Sequence, residues 1–367
     1  MKTKIAAAFL ALALLSGCAG PLHPRELQEL QPVQTLGFDA APEDVIVSAS
    51  DPGDGEGGAP VRLTAAGPGA AAAVDALGAA AAREELFYAH VRFVVLGESA
   101  AKRGIGEILD WFERSTQTRL GLPLFVVKGT DARTLVTAPG ETDREISALL
   151  AALERQSALR GDVYCFTLLD TARSLSRTGA ALCCAVAPAE DLPSAGEEAP
   201  VLKTAGYAVL KDGALRGWLG EGASRGATLL LNRAGEMSYE LRGVTVTLRR
   251  AKAALRPGTD RDGRPRLAVE LTARAGVTGM AEPRDLTPAL RRELEDALSE
   301  ALLADAAAAL AASREMEADF LDLAALFPPG SGFSLRDMDW EIAVRSELER
   351  SYDIDGGPAL RGEGAAA

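Results

Sequence analysis

The stretch Val91-Arg92-Phe93-Val94-Val95-Leu96-Gly97 is a short, largely apolar, β-branched run that ends on glycine. Its composition predicts a central strand buried on both faces. Just after it, Ile105, Ile108, Leu109 and Phe112 recur at helical spacing, with Arg103, Glu107, Asp110 and Arg114 opposite them. That pattern predicts an amphipathic helix. Leu122 to Lys128 reads as a second strand. Strand, helix and strand in this order predict a right-handed crossover within a partly parallel sheet.

Working outward toward the N-terminus, Leu36 to Asp39 and Val45 to Ser50 read as strands, and Ala70 to Leu86 as an Ala-rich helix. Between them, Asp51 to Gly58 is a Gly- and Asp-rich loop. On the other side of the crossover, Asp143 to Ala158 and Cys165 to Leu175 read as helices. Pro188 to Pro200 is acidic and proline-bearing, the composition of a linker. After it, Gly206 to Leu210, the turn Lys211-Asp212-Gly213 and Ala214 to Leu219 predict a β-hairpin. Val244, Val246 and Leu248, then Leu267, Val269 and Leu271, alternate with polar neighbours as half-buried strands do. Thr287-Pro288 opens a long helix, with threonine as N-cap and proline at the first helical position. Its apolar stripe is Leu290, Leu294, Leu298, Leu302 and Leu310. A second helix is expected from about Glu315 to Leu326, and Trp340, Ile342 and Val344 predict a closing strand.

The N-terminus divides into a basic start with Lys2 and Lys4, an apolar run Ile5 to Leu15, and Leu15-Ser16-Gly17-Cys18. This is the order of a secretory signal, and the apolar run is too short for a mature spanning helix, which needs ~20 residues. Leu15-Ser16-Gly17-Cys18 matches a bacterial lipobox, in which the Cys18 thiol takes a diacylglycerol and cleavage falls just before it. Two acyl chains on Cys18 would anchor the chain stably. The domain organisation expected is a signal peptide over 1–17, a lipidated tether over 18–32, and an N-terminal α/β region over 33–187. A linker over 188–203, a C-terminal domain over 204–352 and a disordered tail over 353–367 complete it.

The 367 residues are 47% apolar and 25% charged, enough to bury a core. With 39 Lys and Arg against 52 Asp and Glu the net charge is −13. Nucleic acid is therefore excluded as the main partner, since phosphate neutralisation needs a dense basic surface. Adhesion of the folded body to an anionic membrane is disfavoured on the same ground. The histidines are His23 and His90 alone, and the one asparagine is Asn232, so much of the catalytic repertoire is missing.

Gly222-Ala223-Ser224-Arg225-Gly226 fits the nucleophile-elbow pattern, but no histidine follows residue 90 to serve as base; a Gly-rich turn opening a helix is the expectation. Asp260-Arg261-Asp262-Gly263 has the look of a calcium loop, yet Leu271 stands where the bidentate glutamate belongs, which leaves a surface turn. The glycines at Gly104 and Gly106 lack the rest of a phosphate cradle. Cys165, Cys183 and Cys184 have no Cys-x-x-Cys spacing and no neighbouring histidine, so zinc is not expected. They read as small buried hydrophobes, with a bond from Cys165 to one of the adjacent pair left open. No catalytic residue, cofactor or metal is expected.

The order of segments resembles the C subunit of bacterial spore germinant receptors, the Ger(x)C or GerAC lipoproteins. The resemblance rests on Cys18 followed by Arg25-Glu26-Leu27-Gln28-Glu29-Leu30, and on His90 to Glu98 with Ala100-Ala101 and Gly104-Ile105. Leu109 to Arg114 and Arg119 continue it, then Gly206 to Gly213 and Gly217-Trp218-Leu219. Family members often carry Trp-Asp directly after the lipidated cysteine, where this chain has Ala19-Gly20. The resemblance implies an α+β fold of several subdomains, with mixed β-sheets, flanking helices and a long amphipathic helix in the C-terminal domain. It further implies a non-enzymatic subunit, lipid-anchored at Cys18 on the outer face of the spore inner membrane. Its partners would be two integral membrane subunits, A and B, one of them transporter-like and sensing small nutrients. A solute-binding lipoprotein of a transport system is the alternative. Such proteins usually show two doubly wound lobes, which the hairpins and long helix of the second half do not predict.

Overall fold

The computed structural model describes residues 30–53, 60–81, 85–138, 145–189, 201–282, 285–328, 330 and 333–349. The expected signal peptide, Cys18, most of the tether, residues 190–200 of the expected linker and the C-terminal tail lie outside them.

The chain runs through β1 (Leu30–Pro32), β2 (Thr35–Ala40), β3 (Val45–Asp51), β4 (Val61–Gly67), α1 (Ala70–Ala80), β5 (Glu85–Phe87) and a 3-10 turn at Tyr88–His90. Then follow β6 (Phe93–Leu96), α2 (Glu98–Arg103), α3 (Gly106–Arg114), β7 (Leu124–Val127), α4 (Ala132–Val136), α5 (Ile146–Arg160), α6 (Leu168–Thr178) and β8 (Ala180–Pro188). The second half holds β9 (Leu202–Lys211), β10 (Ala214–Leu219), α7 (Glu221–Leu230), β11 (Ser238–Leu241), β12 (Val244–Thr259), β13 (Pro265–Met280), α8 (Pro288–Glu315) and β14 (Asp339–Leu348). This is a mixed α+β architecture, as the sequence implies.

The crossover predicted around Val91–Gly97 is present. β6 and β7 are parallel neighbours at the centre of an eight-stranded sheet of order β10-β9-β8-β7-β6-β2-β3-β4. All residues of β6 and β7 are buried, because helices cover both faces of the parallel centre. Successive side chains point to opposite faces. Val94, Leu96, Leu124 and Val126 join α1 and α3 in one core, while Phe93, Val95, Phe125 and Val127 join α5 in another.

β8 was not expected as a strand. Its sequence, Ala180-Ala181-Leu182-Cys183-Cys184-Ala185-Val186-Ala187-Pro188, has little β-branched content to mark it, and its pairing with β7 places it. β9 then pairs antiparallel with β8, so the hairpin expected to open a second domain extends the first sheet. The Ala189 N–H donates to the Val201 carbonyl at 2.7 Å, and the acidic segment between them joins two adjacent strands.

One expected helix is shorter and another is absent from the described residues. The Ala70–Leu86 helix stops at Ala80, and Glu85–Phe87 pairs in parallel with β1. After Glu315 there is no second helix. Glu317 and Asp322 take left-handed backbone angles, and the Asp319 carboxylate accepts from the N–H groups of Leu323 and Ala324 at 2.8 and 2.7 Å. What remains is a 3-10 turn at Ala324–Leu326.

The second sheet has the order β11-β12-β13-β14. Its spine is the β12–β13 hairpin, 16 residues per strand and about 50 Å long. β14 pairs parallel to β13, the closing strand expected from Trp340, Ile342 and Val344. α8 lies against the inner face and begins as predicted: Thr287 caps it by accepting from the Leu290 N–H. Leu294, Leu298, Leu302 and Leu310 of the expected stripe are buried. The core under α8 is continuous with the α5 face of the eight-stranded sheet.

Candidate functional site

The nucleophile-elbow pattern lies inside α7 rather than on a turn, and it buries Ser224 and Gly226. The Ser224 hydroxyl donates to the Leu219 carbonyl at 3.3 Å. Gly222 and Gly226, four residues apart, share one helix face, and that face meets the middle of α8. A Cβ on Gly226 would stand 1.9 Å from the Asp305 carbonyl oxygen, and one on Gly222 would stand 3.0 Å from the Asp305 carboxylate. The two glycines thus let two helix backbones cross in near contact.

Asp305 sits at this crossing and is 5% exposed. The sequence places it in an amphipathic helix but does not show that it falls on the buried face. Arg225 donates through Nε to Oδ2 at 2.9 Å and through Nη2 to Oδ1 at 3.4 Å. The Tyr239 hydroxyl donates to the same carboxylate at 2.8 Å. Arg225 also stacks on the Tyr239 ring at 5.0 Å and reaches Glu221 at 2.7 Å. Burial opposes the guanidinium charge, but Asp305 outweighs it and raises the Arg225 pKa. Burial, and next the Asp305 carboxylate, push the Tyr239 hydroxyl upward, so it remains a donor. Each member has a partner, and together they lock α7, α8 and β11.

A second buried carboxylate, Asp39 at the end of β2, accepts from the N–H groups of Ala132 and Arg133 at 3.0 and 2.8 Å. It thereby holds the first turn of α4 against the parallel centre. Burial raises its pKa, and the two backbone donors offset this in part.

The cysteines divide by strand alternation. Cys183 faces the α1 and α3 core, where burial pushes its thiol up to about 12. Cys184 faces the other core. It donates to the half-buried Cys165; this bond, followed by burial, raises the Cys184 pKa, while the same bond lowers the Cys165 pKa against the opposing effect of burial. The Cys165 sulfur lies 3.2 Å from the Ser157 hydroxyl. All three are free thiols. His90 stands in the 3-10 turn with its ring 5.1 Å from that of Phe87. Asp260 closes a surface turn by accepting from the N–H groups of Asp262 and Arg264. Among the described residues no cluster of His, Cys, Asp or Glu is arranged to hold a metal. Among them no helix is long and apolar enough to cross a membrane.

Comparison with known proteins places this arrangement. Residues 23–188 match the family model described as a spore germination protein N-terminal domain. Residues 205–328 match that described as spore germination B3/GerAC like, C-terminal. Among curated proteins none matches significantly. A solved structure, the crystal structure of the GerBC protein, superposes with a TM-score of 0.56 at 14% identity. The match covers 86% of this chain and 97% of that one, a likeness of fold. Both α7 and the Arg225 end of its triad fall within the second matched region, as does Asp305.

Proposed function

We propose, from the premise that the chain belongs to the GerAC family of spore germination proteins, that it is the lipid-anchored C subunit of a nutrient germinant receptor. In this reading it is a non-enzymatic scaffold and signalling component. Diacylglycerol on Cys18 holds it at the outer face of the spore inner membrane, beside two integral membrane subunits, A and B. The observation that carries the reading is the succession of both family regions along one chain behind a Leu15-Ser16-Gly17-Cys18 lipobox. The geometry is consistent with it. Ser224 is buried in a helix, and the Arg225, Asp305 and Tyr239 cluster is internally satisfied, so the conspicuous polar groups serve packing. The solute-binding alternative calls for two doubly wound lobes. One eight-stranded mixed sheet and a hairpin-based second sheet are a different architecture.

The test is a strain producing Cys18→Ala from the native locus. The protein is expected to stay folded, to leave the membrane fraction, and to impair nutrient germination while germination by non-nutrient triggers persists. Normal nutrient germination with the variant in the soluble fraction would contradict the anchor's role.

A further inference from the structure

The outer face of the second sheet carries an arrangement that the net charge of −13 conceals. Strand register lays out two neighbouring rows at its β14 end. Arg250 is opposite Arg274, which is opposite Glu347; Lys252 is opposite Thr272, which is opposite Arg345. All six side chains are exposed on the face away from α8. Strands lie about 4.8 Å apart, and same-face residues about 6.6 Å apart along a strand, so four cations crowd a patch about 10 Å wide. They line a concave site of about 370 Å³. Arg274 approaches Glu347 at 3.7 Å. The side chains of Arg250, Lys252 and Arg345 have no hydrogen-bond or ion-pair partner among the described residues.

Farther along the same face the charges are paired: Arg256 with Glu270 at 3.0 Å and Arg266 with Glu341 at 2.6 Å. Like charges side by side on a sheet destabilise it, so the unpaired end is the exception to the face's own pattern. Among these charges the outer positions are Ala254, Ala268 and Ala343, with Gly258 and Asp339 flanking Arg266. The face thus lacks the aromatic and large aliphatic anchors on which protein interfaces depend. At its unpaired end four cations stand against the one carboxylate of Glu347, a net positive patch suited to a sheet of phosphates.

We propose that this end of the second sheet docks on the anionic phospholipid headgroups of a membrane, orienting the body of the protein on that surface. The proposal rests on the reading that the chain is held at a membrane. A few cations bind such a surface weakly, and a second signal such as an acyl anchor turns weak binding into stable attachment.

The test uses the chain from residue 18 onward carrying Cys18→Ala. It bears no lipid and lacks none of the described residues. Vesicles of phosphatidylcholine alone are compared with vesicles containing about 30 mol% phosphatidylglycerol, by sedimentation at low and high salt. Binding to the anionic vesicles only, lost at high salt, is expected. Arg250→Glu, Lys252→Glu and Arg345→Glu together should weaken it about tenfold or more. Arg155→Glu, Arg160→Glu and Arg173→Glu, an equal charge change on exposed helix positions, should leave it within about twofold. Thermal melting checks both variants for folding; if the first is unfolded, the milder pair Lys252→Gln and Arg345→Gln replaces it and should still weaken binding. Absent binding, or equal loss in both variants, overturns the proposal. Capture on immobilised polyglutamate without vesicle binding would reassign the patch to an acidic protein. Because the tested chain is unacylated, failure here leaves the Cys18 anchor standing, and a missing acyl group leaves this result standing.

Discussion

Gly226 faces the Asp305 carbonyl so closely that a single added methyl group would sit 1.9 Å from that oxygen. The backbone of α8 leaves no side chain able to give way there, and the helices themselves must separate. Gly226→Ala is therefore expected to lower stability by about 3 kcal/mol, the upper end of ordinary overpacking. Gly222→Ala, whose neighbour is the Asp305 carboxylate at 3.0 Å, should be milder. Urea unfolding midpoints measure both, and equal effects would contradict a backbone crossing at Gly226.

Asp305→Ala removes the acceptor for Arg225 and Tyr239 together. Arg225 is left half-buried with only the solvent-exposed Glu221 to pair with, and losing its buried partner is strongly destabilising, so a loss of about 3 kcal/mol is expected. Asp305→Asn keeps an acceptor oxygen and should lose less. Chemical denaturation reads the difference. An effect within about 0.5 kcal/mol for the alanine variant would mean that the cluster does not lock the helices.

Ser224→Ala deletes a hydroxyl that hydrogen-bonds Leu219. A cost of about 1 kcal/mol is expected, with nutrient germination unchanged. A folded Ser224→Ala protein that abolishes germination would assign the hydroxyl a chemical role and sink the packing explanation.

Asp39 gives the pH dependence. Its carboxyl is raised above the ordinary value of 3.8, by burial first, so the folded state binds its proton more tightly than the unfolded state. The stability linked to that proton is fully present below 3.8 and lost as pH rises through the raised value. Asp39→Asn cannot titrate. The stability of the natural protein minus that of the variant should therefore fall as pH is raised from below 3.8. A difference that grows with pH in denaturation curves would show that the Ala132 and Arg133 donors outweigh burial.

The sequence reveals elements that carry their own periodicity. Val94 and Val95 sit in a run apolar enough to mark a doubly covered strand, and Leu294, Leu298 and Leu302 repeat along α8 whatever packs on them. β8 is hidden because alanine and cysteine serve helix and strand alike, and its neighbours on the sheet decide. The break after Glu315 goes with Asp319 capping backbone groups four and five residues ahead, a local bond that no glycine or proline there announces. At the site, Gly222 and Gly226 are visible as a spacing, but spacing alone does not separate an elbow from a helix crossing. The burial of Asp305 becomes readable only when Arg225 and Tyr239, 80 and 66 residues away, are known to converge on it. The cation rows of the outer sheet depend on a parallel β14 register that pairs Thr272 with Arg345 across a long separation.

The central claim is membership in a receptor with two membrane subunits. Its most direct test is purification of the tagged full-length protein from spore inner membranes in mild detergent, with mass spectrometry of what accompanies it. Co-purification of two polytopic receptor-type subunits in constant proportion is the predicted result. Recovery of the protein alone, or with a permease and an ATPase, would contradict the claim.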